Sequence, residues 1–384
     1  MKVIKKVNFY TDLFEKSKLP KIYKLKGVVN NTIIFSEKNE NDKTETTSGL
    51  TCYKLFPNYF DYKIETKNEF KLRKVWQKLG FSANLNSSVS ALDYLKKECS
   101  SQHKKNVTRA TNRLEQCFEI SYFTYFGKIE KSKYISIMNA LFQMISNRFK
   151  ERKGKNRVLT NWQYYLDSTF ELILQKKASL FVIYSKNEPI EVSINYHFDS
   201  IMYSSISSYD LDYSKFSLGN IEIYKQIDWC ISNNIKLFDM GYGDFDYKRK
   251  WSNHIYKFES HIISKKNNLL ALLYPTLLKY RFKIIDFLVS KNVNNYLYNL
   301  KDKLINNKSN DKIKPEFEIE IINEISTALE TKLDLDNYTF LKKPIYDFLY
   351  KYKEELSNLS VYKTPQQNSY IVKGKNNNIK ITHL

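Results

Sequence analysis

Apolar positions recur along the chain at two spacings, and the switches between them mark out its elements. In residues 1 to about 85, short apolar runs at Thr32 to Phe35 and Tyr53 to Phe56 predict strands. The polar tract of residues 36–49 between them cannot bury enough apolar area to order itself and reads as a surface loop. Ser90 suits the cap of a helix starting near Ala91, and the chain stays helical through most of its length to Gln116. Ile120 to Phe126 predicts a strand. Lys131 to Phe149 places Tyr134, Ile137, Met138, Leu141, Met144 and Ile145 on one helical face, which reads as core. A basic loop at residues 151–157 leads to a helix over Asn161 to Gln175, in which Trp162, Leu166, Phe170 and Leu174 share a face. Leu180 to Ser185 and Glu188 to His197 predict a hairpin, and Asp199 to Ser208 a further strand.

The next stretch, Tyr209 to Trp251, holds Gly219, Gly241 and Gly243, three of only nine glycines in the chain. Such a concentration marks backbone that turns left-handed or approaches a ligand closely. A polar loop ends at Ser217-Leu218-Gly219-Asn220, and from Ile221 the residues Ile223, Ile227, Cys230 and Ile231 recur at helical spacing, flanked by Tyr224. A helix therefore begins at about Gly219, and its first amides can bind an anion such as a phosphate. It ends at Ser232-Asn233-Asn234, where Asn suits a left-handed cap. Ile235 to Met240 predicts a buried strand running into the turn Gly241 to Asp244.

Phe258 to Ile263 predicts one more strand. Leu269 to Val289 is rich in Leu, Ile and Phe, with Lys279, Arg281 and Lys283 within it, Lys291 beyond, and Pro275 interrupting it. Such a helix either lies on a membrane surface or packs as core. Glu316 to Leu329 and Tyr346 to Leu356 carry helical patterning, and the polar tail after Lys363 is expected to fray.

Composition changes this picture little. A chain of 384 residues has room for two domains, its 42% hydrophobic share is globular, and no run of about 18 apolar residues could span a bilayer. The amino-terminal residues lack the pattern of a signal peptide, so a cytoplasmic protein is expected, with peripheral contact at the inner membrane face as an option. Cys52, Cys99, Cys117 and Cys230 lie too far apart for a zinc or disulfide pattern and read as free thiols. The net charge of +21 invites a nucleic-acid partner, yet it is spread thinly among many Lys, Asn, Ile and Tyr and no nucleic-acid-binding motif accompanies it. No nucleophile elbow, Walker loop or zinc-protease helix is present.

Tyr209, Asp210, Tyr213, Ser217 and Gly219, followed by Asp239, Gly241, Gly243, Asp244, Tyr247, Lys248 and Trp251, resemble the signature of the GNAT N-acyltransferase superfamily. The closer resemblance is to its cellulose-biosynthesis-type (CelD-like) acetyltransferase branch, related to the Fem-type aminoacyltransferases. Lys105, Arg109, Arg113, Leu114 and Glu115 match a basic segment of that branch. Leu218 stands where the branch often has Pro, and Asn234 where it often has Gly. The resemblance covers Ser88 to Phe258. It implies an α/β (α+β) GNAT fold with a central mixed sheet, a degenerate GNAT-like amino-terminal lobe with a basic linking helix (1–119) and an acyltransferase domain (120–265), and the patterning beyond predicts a helical carboxy-terminal extension (266–384).

The implied reaction is direct attack of an amine on an acyl-CoA thioester where two central strands splay apart, with acetyl-CoA or another acyl-CoA as co-substrate and no metal. The acceptor implied is an amino sugar or other cell-envelope amine. The amides of Ser217, Leu218, Gly219 and Asn220 are expected to hold the pyrophosphate. Asp239 and Asp244 are the candidate bases, and Tyr209, Tyr213 and Tyr247 the candidate donors to the departing thiolate. Asp210, Tyr209, Tyr247 and Lys248 are candidate substrate contacts, although Lys248 could equally pair with Asp244. Arg109 and Arg113 either grip an anionic part of substrate or coenzyme or form a solvated basic face. Two other readings stay open: a Fem-type enzyme whose donor is aminoacyl-tRNA, and a non-catalytic scaffold or nucleic-acid-binding module.

Overall fold

The computed structural model describes residues 4–38, 49–64, 70–150, 157–291, 317–322 and 331–384. The polar tract over 39–48, the basic loop over 151–156 and the expected helix beyond Ile322 lie outside them. In chain order the elements are β1 (Ile4–Asn8), α1 (Phe9–Phe14), β2 (Tyr23–Val29), β3 (Thr32–Lys38), β4 (Leu50–Pro57), β5 (Phe60–Ile64), β6 (Phe70–Asn84), α2 (Ala91–Glu98) and α3 (Ser101–Cys117). Then come β7 (Ile120–Tyr125), α4 (Lys131–Lys150), α5 (Arg157–Thr160), α6 (Trp162–Leu174), β8 (Ala178–Ser185), β9 (Glu188–Phe198), β10 (Ile201–Tyr209), a 3-10 turn (Leu211–Phe216), α7 (Leu218–Ser232) and β11 (Leu237–Tyr242). The chain closes with α8 (Asp246–Trp251), β12 (His254–Lys265), α9 (Leu270–Ser290), β13 (Phe317–Ile322), β14 (Lys332–Leu333), α10 (Lys342–Tyr352), β15 (Ser360–Lys363), β16 (Ser369–Lys373) and β17 (Asn378–His383).

These elements fall into two compact units that are discontinuous in sequence. One comprises Met1–Val89, Tyr196–Ser205 and Cys230–Asn310, the other Ser90–Asn195, Ile206–Trp229 and Asp311–Leu384. The units do not follow the three consecutive ranges read from the sequence.

The first unit is built on a mixed sheet in the order β1-β4-β12-β6-β11-β10. β1 and β4 are parallel, β12 runs antiparallel to both β4 and β6, and β11 is antiparallel to β6 but parallel to β10. The amino-terminal strands thus share one sheet with β11 and β12, which pair with the two edges of β6 through backbone hydrogen bonds. The smaller sheet β3-β2-β5 completes this unit.

In the second unit β9, β8 and β7 are neighbours, with β7 antiparallel to β8, and a five-stranded sheet β13-β17-β16-β15-β14 is formed by the carboxy-terminal residues. A core of Leu114, Phe181, Leu218, Ile221, Ile345 and Ile381 joins these elements. Here the structure corrects two expectations. Residues 317–322 form strand β13 where a helix was expected, and the tail after Lys363 ends in the hairpin β16–β17, with Val372, Ile379 and Ile381 buried. The extension is helical over α9 and α10, and strands make up much of the rest of its described residues.

Other local expectations hold in part. Ser90 caps α2 through the Asp93 amide, and Ser100 interrupts the predicted long helix by capping α3 at the His103 amide. The predicted apolar face of α4 is buried. In α6 the most buried residues are Thr169 and Ile173, so its inward face is centred one residue from the predicted stripe.

Candidate functional site

In the first unit, β10 and β11 pair in parallel only from Ile201–Leu237 to Tyr203–Asp239. Beyond that register both strands continue without pairing to each other, while the β11–β6 ladder shifts between Asp239 and Tyr242. The extra residue of such a bulge re-aims a strand. Gly241 and Gly243 make this possible, with φ of 67° and 103°, values that other residues adopt only with strain. The ladder between these two central strands therefore ends after three residue pairs.

Asp239 anchors the bulge. Its carboxylate accepts bonds from the hydroxyls of Tyr10 (2.8 Å), Tyr59 (2.8 Å) and Tyr256 (2.7 Å) and from the amide of Gly241 (2.7 Å). Burial pushes this carboxyl above its ordinary value, and the bonds from Tyr256, Gly241, Tyr10 and Tyr59 oppose the shift. The three phenols are pushed up too, first by burial and then by the Asp239 charge. A carboxylate with no exposure and its oxygens occupied by four donors is a brace for the strand end, not a base open to substrate. Sequence reasoning missed Tyr10, Tyr59 and Tyr256.

Lys248 supplies a second brace. Its ammonium donates to the carbonyls of Met240 and Tyr242, each at 2.6 Å, and so fastens the first turn of α8 to the bulge. Burial brings it down to about 8 against the pull of Asp239. Asp244 pairs instead with Arg249 on the surface, at 2.5 Å, so of the two readings of Lys248 the pairing with Asp244 is not the one found. Arg249 holds the Asp244 carboxyl below its usual value, which makes it a poorer base. Trp251 is buried core, whereas Phe245 and Tyr247 stack at 6.0 Å and remain exposed.

The second unit carries the loop and α7. Asp210 accepts from the Asp212 amide and so starts the 3-10 turn, which makes it a turn-former in the first place. Burial, then the neighbouring Asp210, raises Asp212 to about 6. Tyr209 lies under the Arg148 guanidinium at 5.4 Å. Tyr213 is buried among Phe118, Phe216 and Tyr346, so the structure gives this ring a packing role and corrects its expected part as proton donor.

Ser217 turns left-handed (φ 55°) just before α7, and Leu218 drives its side chain into the core. The Asn220 amide is engaged by the Ser217 carbonyl at 2.9 Å, so the anion-ready amides are those ahead of it. At Gly219 an added Cβ would meet nothing within 4 Å, and its φ lies outside the left-handed region.

Beneath α7 lies a polar group that sequence reasoning did not find. Glu222 accepts from Ser207 and Gln226 at 2.8 Å each, and Gln226 also donates to Ser193. Glu191 of β9 is fully buried beside it, and no protein donor reaches either of its oxygens. Burial raises both carboxyls, Glu222 to about 7 and Glu191 well above its ordinary value, the latter pushed further by the Glu222 charge. The spacing Glu222–Gln226 on the inward face of α7 was the available signal.

On α3, Arg109 and Arg113 line a cleft of about 520 Å³ together with Lys96, Lys104, Lys105 and Lys353. No carboxylate is among its described lining residues. Arg109 bonds the Asn106 side chain, while Arg113 donates to the Tyr350 carbonyl and lies over the Tyr350 ring. Arg113 is thus fixed by α10, and Arg109 is the more available of the two.

The family model for an acetyltransferase (GNAT) domain matches residues 101–249. The segment from α3 to α8 is thus similar to a GNAT-type acetyltransferase domain. Similar solved structures include a conserved protein of unknown function from Bacteroides thetaiotaomicron VPI-5482, at 7% identity, with 56% of this chain and 70% of that one covered and a TM-score of 0.40. Another is the C-terminal domain (DUF2156) of a putative lysylphosphatidylglycerol synthetase from Agrobacterium fabrum, at 9% identity, 59% and 70% coverage and a TM-score of 0.38. A third is FemX, at 10% identity, 50% and 65% coverage and a TM-score of 0.37. No curated protein matches the chain.

Proposed function

We propose that this protein is an N-acyltransferase of the CelD-like branch, moving an acyl group from acyl-CoA to an amine. Gly219 carries the reading. A glycine in the first turn of a 15-residue helix weakens it by up to about 1 kcal/mol relative to alanine. Neither a left-handed φ nor a crowded neighbour explains Gly219, since its surroundings are open. A bare backbone beside the left-handed Ser217 is what a diphosphate needs to reach the amides at the start of α7.

The amine nitrogen attacks the thioester carbonyl, the C–N bond forms, and collapse of the tetrahedral intermediate breaks the C–S bond. One proton leaves the amine and one reaches the thiolate. With Asp239 and Lys248 fixing the bulge, their contribution is to hold the strand end rigid for attack. Tyr247 is the exposed phenol suited to protonating the thiolate, and the acceptor is an amino sugar or another cell-envelope amine.

Isothermal calorimetry with acetyl-CoA tests the donor. Gly219→Val should lower affinity on the order of tenfold or more with an unchanged Tm, because the added side chain has room in the protein but not beside a bound diphosphate. Binding retained by that variant would remove the assignment.

The six-cation cleft favours one second reading, in which the donor is aminoacyl-tRNA. Calorimetry with tRNA at low and high salt separates the two, since phosphate contacts release counterions and weaken steeply with salt.

A further inference from the structure

Helix α9 packs on its own unit with a single narrow stripe. Ala271 and Leu278 are buried against Leu50, Cys52, Val75 and Ile262, and Tyr274 and Phe282 are partly covered on the same side. By helical repeat these four share one face.

A second apolar stripe turns away from that core. Leu273, Leu277, Tyr280, Ile284 and Phe287 recur at alternating steps of four and three residues, and all are exposed, Leu273 and Leu277 at 65% each. A surface helix of an ordinary globular unit keeps charged residues there. Here the charges stand at the borders of the stripe. Lys279 and Lys283 project along one side of it and Arg281 along the other, all exposed, with Lys291 just beyond the helix end. The helix has one carboxylate, Asp286, which feels the charge of Lys78 of β6.

We propose that α9 is an interfacial helix that seats this protein on an anionic lipid bilayer, with the second stripe dipping into the boundary of headgroups and acyl chains. The charge pattern selects this occupant. A second copy docking through the same face would bring Lys279, Arg281 and Lys283 against their own equivalents, and like charges repel. An anionic surface meets all three with opposite charge, and a bilayer accepts the broad apolar arc without needing a matching groove. Among the described residues no helix is long and apolar enough to cross a membrane, so the contact is made in the plane of the surface.

Co-flotation of the full chain with vesicles tests this. The protein should float with phosphatidylcholine vesicles containing about three-tenths phosphatidylglycerol and not with phosphatidylcholine alone. The triple variant Leu273→Gln/Leu277→Gln/Phe287→Gln should lose vesicle affinity by roughly tenfold or more. Lys279→Glu/Arg281→Glu/Lys283→Glu should lose on the order of a hundredfold. Both variants should keep the parent Tm, since the altered side chains are exposed. No flotation of the parent, or flotation that either triple variant leaves intact, overturns the proposal. So does a dimer in light scattering that the apolar variant abolishes while the parent fails to float.

Discussion

At Asp239 three phenols and one amide converge on a single carboxylate. Asp239→Asn replaces an acceptor with an NH2 group that faces hydroxyl donors, leaving buried polar atoms unpaired. We expect a loss of about 1–3 kcal/mol in urea unfolding. Asp244→Asn should leave Tm unchanged, because its partner Arg249 is exposed and surface pairs contribute little. Were Asp239 the catalytic base instead, its amide variant would lose turnover while keeping its stability. Sequence reasoning placed Asp239, Gly241 and Lys248 in one segment correctly, because local spacing shows a turn. It misread what Asp239 does, because Tyr10 and Tyr59 lie 229 and 180 positions away, and nothing local singles them out among 30 tyrosines.

Among the elements, the pairing of β6 with β12 explains Gly80. A Cβ there would stand 2.3 Å from the Tyr256 ring, which crosses this residue on its way to Asp239. Gly80→Val should cost about 1–3 kcal/mol by overpacking, measured by thermal unfolding. The Glu191–Glu222 pair between β9 and α7 makes stability depend on pH. The folded pKa of Glu222 is raised from 4.5 to about 7, so the folded state binds the proton more tightly than the unfolded chain. Stability is then full below about pH 4.5 and falls as pH rises toward 7. Glu222→Gln should flatten that slope and stabilise the protein at pH 8 by on the order of 3 kcal/mol in chemical denaturation. Helix α7 and its neighbours β10 and β11 were legible because each is a local pattern bounded by turn residues. Strands β16 and β17 were not, since their buried Val372, Ile379 and Ile381 alternate with Lys and Asn and read as a polar tail.

For the molecule as a whole, the segment that matches the GNAT domain is not a folding unit by itself. The core that holds Leu218 and Ile221 is completed by Leu341, Ile345, Val372, Ile379 and Ile381, well past residue 249. A fragment of residues 101–249 should therefore lack a cooperative thermal transition and show little near-ultraviolet circular dichroism, while the full chain shows both. The same remoteness hid the units from sequence reading, which sees neighbours along the chain and not across a core. The backbone leaves one unit for the other after Val89, Asn195, Ser205, Trp229 and Asn310. A genetic exchange that lifted either body into another protein would have to carry three separate stretches at once. Such a chain is inherited whole, and its descendants can diversify by substitution and loop growth far more readily than by shuffling modules.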